Sequence, residues 1–173
     1  MTVELGKKAP YFKADATLPN GDFKTLTLDD YKGKWLVLFF YPLDFTFVCP
    51  TEIRSFSESY NKFKEIGCEV VGCSIDSKFS HKAWMESDLK GLQIPLIGDV
   101  TKEVSRAYGV LNYEAGVAFR GTFVIDPEGT VKSYNVNDLG IGRSVDETLR
   151  TVQAAQTGKL TPCNWKPGDK TLN

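Results

Sequence analysis

The chain has a single histidine, no excess of either charge and no long apolar run, and each shortage removes a class of function. With His81 alone, a cysteine–histidine protease or acyltransferase lacks its base, because such nucleophiles are activated by a neighbouring imidazole. His81 lies inside Phe79-Ser80-His81-Lys82-Ala83-Trp84 and reads as a solvent-facing helix residue. One histidine with scattered cysteines also makes a poor zinc set, so no metal is expected. Twenty-one basic against twenty-two acidic residues leave a formal charge of −1 without blocks of like charge. Neither nucleic acid nor a membrane surface is therefore expected as a partner. No stretch nears the ~18 apolar residues of a membrane span. Met1–Lys8 lacks the apolar centre and cleavage site of a secretion signal, which makes a cytoplasmic location the expectation. In that reducing compartment Cys49, Cys68, Cys73 and Cys163 are not a static disulfide framework.

What is present is an alternation of strands and helices on a chain of 173 residues, long enough for one domain with a real core. Asn20-Gly21 separates Phe12–Leu18 from Phe23–Leu28 and predicts a hairpin. Trp35–Tyr41 is a seven-residue apolar run bounded by Gly33 and Pro42, as in a strand covered on both faces. Glu69–Ile75 reads as a second buried strand and Pro95–Ile97 as a short one. Thr122–Ile125 and Thr130–Val136 flank the turn Asp126-Pro127-Glu128-Gly129. Ile53, Phe56, Tyr60, Phe63 and Ile66 fall three or four apart and predict one amphipathic helix over Thr51–Ile66, stopped by Gly67. Further helices are expected over Phe79–Leu89, Thr101–Tyr108 and Ser144–Gln156, the last with Ser144 and Glu147 in capping-box spacing. The order predicts an α/β fold, a mixed central sheet with helices on both faces and a hairpin at the N-terminal end. Prolines and glycine after Gly158 predict an irregular arm, residues 159–173, beyond a domain of residues 1–158. The arm carries Cys163 and Trp165, a tryptophan that needs a surface to lie on.

Cys49 is the candidate nucleophile. It falls where the apolar strand gives way to a helix, and Pro50 after it suits the first helical position. Unpaired amides and the positive end of the helix dipole favour a thiolate there. Helix ends and cations can bring a thiol from its ordinary ~8.5 to roughly 3.5–7.5. A thioredoxin-type dithiol is excluded, because the nearest pair, Cys68 and Cys73, is separated by four residues. Phosphatase loops place an arginine six positions after the cysteine, whereas Arg54 stands five after Cys49. Gly140-Ile141-Gly142 is too short for a phosphate-binding loop. Cys68 and Cys73 flank a buried strand and read as structural.

Pro42-x-x-x-Thr46-x-x-Cys49, taken with Phe119-Arg120-Gly121-Thr122-Phe123, resembles the peroxiredoxins of the typical two-cysteine, alkyl hydroperoxide reductase-like kind. The resemblance runs from Gly6-Lys7-Lys8-Ala9-Pro10 through Gly142-Arg143-Ser144-Val145-Asp146-Glu147 to Trp165-Lys166-Pro167-Gly168. It implies a thioredoxin-like fold and a thiol peroxidase for hydrogen peroxide and organic hydroperoxides, serving antioxidant defence without cofactor or metal. By the same resemblance Cys49 is the peroxidatic cysteine, oxidised to a sulfenic acid. Thr46 and Arg120 are donors to the departing oxygen, Pro42 shields the thiolate, Glu52 orients Arg120, and Arg143 is a second arginine near the site. Cys163 is the resolving cysteine, acting on the partner subunit, which implies a homodimer; Ser77–Trp84 resembles the segment joining five dimers into a decamer. Thioredoxin or a flavoprotein disulfide reductase is the implied electron donor. Two departures stand out. Lys90-Gly91-Leu92-Gln93 replaces the Gly-Gly-Leu-Gly of oxidation-sensitive members, and the chain stops at Asn173 without a Tyr-Phe helix, so a robust, fast-resolving enzyme is expected. Pro162 stands before Cys163 where many members have the proline after it. A ring-forming holdase or peroxide sensor and a thioredoxin-like disulfide reductase are the competing readings.

Overall fold

The apolar run after Gly33 becomes the middle of the molecule. In the computed structural model, which describes residues 3–173, the strands are β1 (Lys13–Thr17), β2 (Phe23–Thr27), β3 (Trp35–Phe40), β4 (Cys68–Ser74), β5 (Leu96–Gly98), β6 (Leu111–Asn112), β7 (Val117–Ala118), β8 (Arg120–Ile125) and β9 (Val131–Asn137). The helices are α1 (Cys49–Glu58), α2 (Tyr60–Glu65), α3 (Lys78–Glu86), α4 (Glu103–Ala107) and α5 (Val145–Gln156). Seven strands form one sheet in the order β2-β1-β5-β4-β3-β8-β9, while β6 and β7 pair separately. β3, β4 and β5 run parallel, and β8 and β9 extend the sheet antiparallel on the far side of β3. The mixed α/β sheet is therefore as the alternation predicts, and it has the thioredoxin-like arrangement.

Side-chain alternation along β3 divides the core in two. Leu36, Leu38 and Phe40 join a cluster with Val104 and Tyr108 on one face, whereas Val37, Phe39 and Tyr41 join Cys49, Ile53, Phe56, Phe63, Trp84 and Val152 on the other. The second face thus carries α1, α2, α3 and α5. On β8, Phe123 and Ile125 face the first cluster and Val124 the second. By that two-residue period Thr122 and Arg120 share the Val124 face, toward α1.

Several boundaries differ from the expectation. The helix predicted over Thr51–Ile66 is two helices, broken at Ser59, whose φ of −87° and ψ of −2° end α1 and begin α2. Ser55, Ser57 and Ser59 are poor helix-interior residues, but Ile53, Phe56 and Phe63 keep one buried face across the break. Helix α1 begins at Cys49, which puts Pro50 at the second helical position, one later than predicted. α3 and α4 are shorter than predicted, and Thr122–Ile125 lengthens to include Arg120. β6 and β7 have no sequence signal, since a two-residue strand carries no period.

Candidate active site

Cys49 opens α1 at the end of the eight-residue loop that leaves β3, and the thiol is only 1% exposed. Its neighbours arrive from three other places in the chain. Arg120, first residue of β8, donates from Nη1 to Cys49 Sγ at 3.3 Å and to Glu52 Oε1 at 3.2 Å. Its Nε is held by the Leu139 carbonyl at 2.8 Å, which fixes the plane of the guanidinium. Glu52 stands three residues after Cys49, one helical turn along, and so faces the same side. Its second oxygen accepts from Nε of Arg143.

Arg143 lies in the segment before α5. Its Nη1 donates to the Gly121 carbonyl at 2.8 Å and to Thr122 Oγ1 at 3.0 Å, and its Nη2 donates to the Phe40 carbonyl. The guanidinium also sits over the Phe39 ring, 5.3 Å from the centroid. Burial pulls its pKa down to about 10, against the opposing charge of Glu52, and it remains a cation at neutral pH. Arg120, Glu52 and Arg143 are nearly inaccessible to solvent. A carboxylate shared by two buried arginines is thus locked beside the thiol.

The other predicted residues are placed differently. Pro42 is buried at the start of the loop. Thr46 is half-buried, and its hydroxyl donates to the Leu43 carbonyl at 2.9 Å rather than to Cys49. Phe45 has a φ of 56°, and Phe47 is 95% exposed, so the chain just before Cys49 is neither relaxed nor packed. Cys163 is exposed on the C-terminal arm. Trp165 does find a surface and is buried to 5% exposure.

His81 overturns its prediction. It is fully buried: Nδ1 lies 2.7 Å from Asp44 Oδ2, and Nε2 lies 2.9 Å from the Ile97 carbonyl. The ring is thus held between a carboxylate and a backbone carbonyl and bridges α3 to β5. Asp44 also accepts from Tyr41 Oη at 2.8 Å and from Ser80 Oγ at 2.8 Å, and its backbone N–H donates to Asp76 at 2.9 Å. Burial first, and then the charge of Asp44, push the Asp76 carboxyl up. The network fastens the loop before Cys49 to α3. A helical pattern could place His81 on α3 but not reveal the carboxylate 37 residues earlier that meets it.

The family model described as AhpC/TSA family matches residues 5–134, and that described as the C-terminal domain of 1-Cys peroxiredoxin matches residues 153–173. Peroxiredoxin 2 of Drosophila melanogaster is 54% identical, over 98% of this chain and 91% of the relative. The mitochondrial thioredoxin-dependent peroxide reductase of Mus musculus is 54% identical, over 99% of this chain and 70% of the relative. The crystal structure of the reduced 2-Cys peroxiredoxin of Plasmodium vivax matches with a TM-score of 0.93 at 41% identity, over 96% of this chain and 91% of that one.

Proposed function

Since the chain belongs to the AhpC/TSA family and is a thiol peroxidase of the peroxiredoxin kind, we propose that Cys49 attacks the peroxide and that Cys163 of the partner subunit resolves the product. The observation that carries this reading is the 3.3 Å contact between Arg120 and Cys49 Sγ, itself braced by Glu52. In the first step the Cys49 thiolate forms an S–O bond as the O–O bond breaks. The departing oxygen takes the electron pair and a proton and leaves as water or an alcohol, and Cys49 becomes a sulfenic acid. Negative charge grows on that oxygen, so fixed donors aimed at it lower the barrier. Arg120 is such a donor. Thr46 is a second once its hydroxyl rotates away from Leu43. Pro42 keeps water from the thiolate, Glu52 holds Arg120 in place, and Arg143 holds Glu52.

In the second step the Cys163 thiolate attacks the sulfenic sulfur, an S–S bond forms, the S–O bond breaks, and hydroxide leaves as water after protonation. A dithiol protein reopens the disulfide by exchange. Thioredoxin is the donor named for the mouse relative and is the donor we propose here, ahead of a flavoprotein disulfide reductase. No cofactor takes part, since sulfur carries the electrons. Residues 1–158 then act as the peroxidase unit and 159–173 as the arm that delivers Cys163. The location proposed is cytoplasmic. No helix among the described residues is long and apolar enough to cross a membrane.

The test is non-reducing mass analysis after one equivalent of hydrogen peroxide, on the unmodified protein and on Cys163→Ser. A Cys49–Cys163 linked dimer in the first and a trapped Cys49 sulfenic acid in the second are expected. A protein left unreacted, or oxidised between Cys68 and Cys73, overturns the reading.

A further inference from the structure

The C-terminal arm is bonded almost entirely to itself. Trp165 N–H donates to the Pro162 carbonyl at 3.1 Å, closing a turn around Cys163 in which Asn164 takes a φ of 59°. Trp165 Nε1 donates to the Asp169 carbonyl at 3.1 Å, Lys166 N–H to Asp169 Oδ2 at 2.9 Å, and Leu172 N–H to the Leu160 carbonyl at 2.8 Å. All of these can travel with the arm as one piece. Among the described residues, a single hydrogen bond ties residues 160–173 to the rest of the protein: Arg150 Nη1 to the Trp165 carbonyl, at 3.1 Å.

Arg150 cannot follow the arm. Its Nε and Nη2 are clamped by the two Glu147 oxygens at 2.6 and 2.7 Å, a fork-to-fork pair between neighbouring turns of α5. The pair holds the Glu147 carboxyl below its usual range and Arg150 above its own, and the Trp165 carbonyl that Arg150 grips lies two residues beyond Cys163. Cys49, by contrast, is 1% exposed. A disulfide needs Cα atoms within roughly 4.4–6.8 Å and a 2.05 Å S–S bond, so a sulfur this deeply covered is reached only after the segments carrying the two cysteines move.

Resting on the resolving role proposed above for Cys163, we propose that Arg150, braced by Glu147, is a positioning residue that latches the Cys163 turn to α5 and whose release limits disulfide formation. Losing one charge-assisted hydrogen bond at a half-exposed position raises the population of the released arm on the order of fivefold. Arg150→Gln removes the fork and the charge. Glu147→Gln keeps Arg150 but loosens its brace, and neither residue touches Cys49 or its bonded neighbours.

The experiment is a single-turnover reaction with hydrogen peroxide, acid-quenched and read by mass, so that sulfenic acid and disulfide are timed separately. Arg150→Gln is expected to leave sulfenic acid formation unchanged, to speed the disulfide step about fivefold, and to yield less Cys49 sulfinic acid at high peroxide. Glu147→Gln moves the same way by less. Deuterium uptake over residues 160–172 rises in both, with the uptake of β3 and β8 unchanged. Disulfide formation at the unmodified rate, or slower, with the disulfide still forming overturns the latch alone. If the unmodified protein forms no Cys49–Cys163 disulfide, the resolving role falls and the latch with it.

Discussion

Cys49 and Cys68 are equally buried, yet their surroundings differ in one respect that decides their chemistry. Cys49 faces a guanidinium, whereas Cys68 donates to the Glu69 carbonyl at 3.4 Å and has no cation in contact with its sulfur. Burial, reinforced by the Glu69 charge, pushes the Cys68 thiol up to about 12, and burial with Asp99 pushes Cys73 well above its ordinary value. At pH 8 the Cys68 thiolate is then about one part in ten thousand. Iodoacetamide on the native protein is expected to label the exposed Cys163 and spare Cys68 and Cys73 until denaturant is added, as peptide mass mapping will read. Labelling of either strand cysteine at pH 8 without unfolding contradicts this assignment. The sign for stability follows. Between about 9 and about 12 the native state keeps the Cys68 proton that an unfolded chain has lost, so this group lowers stability as the pH rises through that window. At this scale much was legible: Cys49 at a strand–helix junction and the burial of Cys68 and Cys73 follow from pattern alone, and the placement of Arg120 and Glu52 beside Cys49 from family resemblance. His81 was not legible, because its burial depends on Asp44 and Ile97, and a periodic pattern carries no record of which distant groups will meet.

The element that matters most is the loop between β3 and α1. Its start is anchored by the Tyr41–Asp44–His81 network, while Phe45 and Phe47 beyond the anchor are exposed. A loop pinned at one end and loose beside Cys49 can admit peroxide and later release the oxidised sulfur without disturbing the sheet. Replacing His81 with Leu leaves Asp44 buried without its imidazole partner. A cost of about 3 kcal/mol is expected, since removing one partner of a buried pair strands the other. Urea unfolding measures it, and an unchanged midpoint would show that the pair does not hold the loop. The β3 run and the capped α5 could be read from sequence because they satisfy one period throughout. The break at Ser59 could not, because the buried face continues across it while only the backbone turns.

Taken whole, the molecule leaves apolar surface uncovered in several places, two of which lie at opposite edges of the sheet. Phe79 is 65% exposed in an edge-to-face pair with Phe23, with the Lys78 and Lys82 ammonium groups over the Phe23 ring. On β9, the last strand of the sheet, Tyr134 and Val136 are also exposed. Two separate patches suit two kinds of contact between copies, as the decamer of dimers that the family resemblance implies would require. Light scattering of the reduced protein at micromolar concentration is expected to give a mass near ten chains, and a mass of two chains would remove the ring from the account. The sequence pointed to Ser77–Trp84 for this contact, and exposure divides that segment: Phe79 faces out, whereas Trp84 is core.

Charge neutrality gives the site beside Cys49 a direction. Arg120 and Arg143 contribute two positive charges and Glu52 one negative, all enclosed, so a Cys49 thiolate brings the sum to zero. The neutral sulfenic acid that follows leaves one positive charge stranded in a poorly solvated place, a state that favours letting water in. On the chemistry proposed for Cys49, oxidation would loosen the enclosure around the thiolate, so that the sulfur is easiest to expose at the point in the cycle when a second thiol has to reach it.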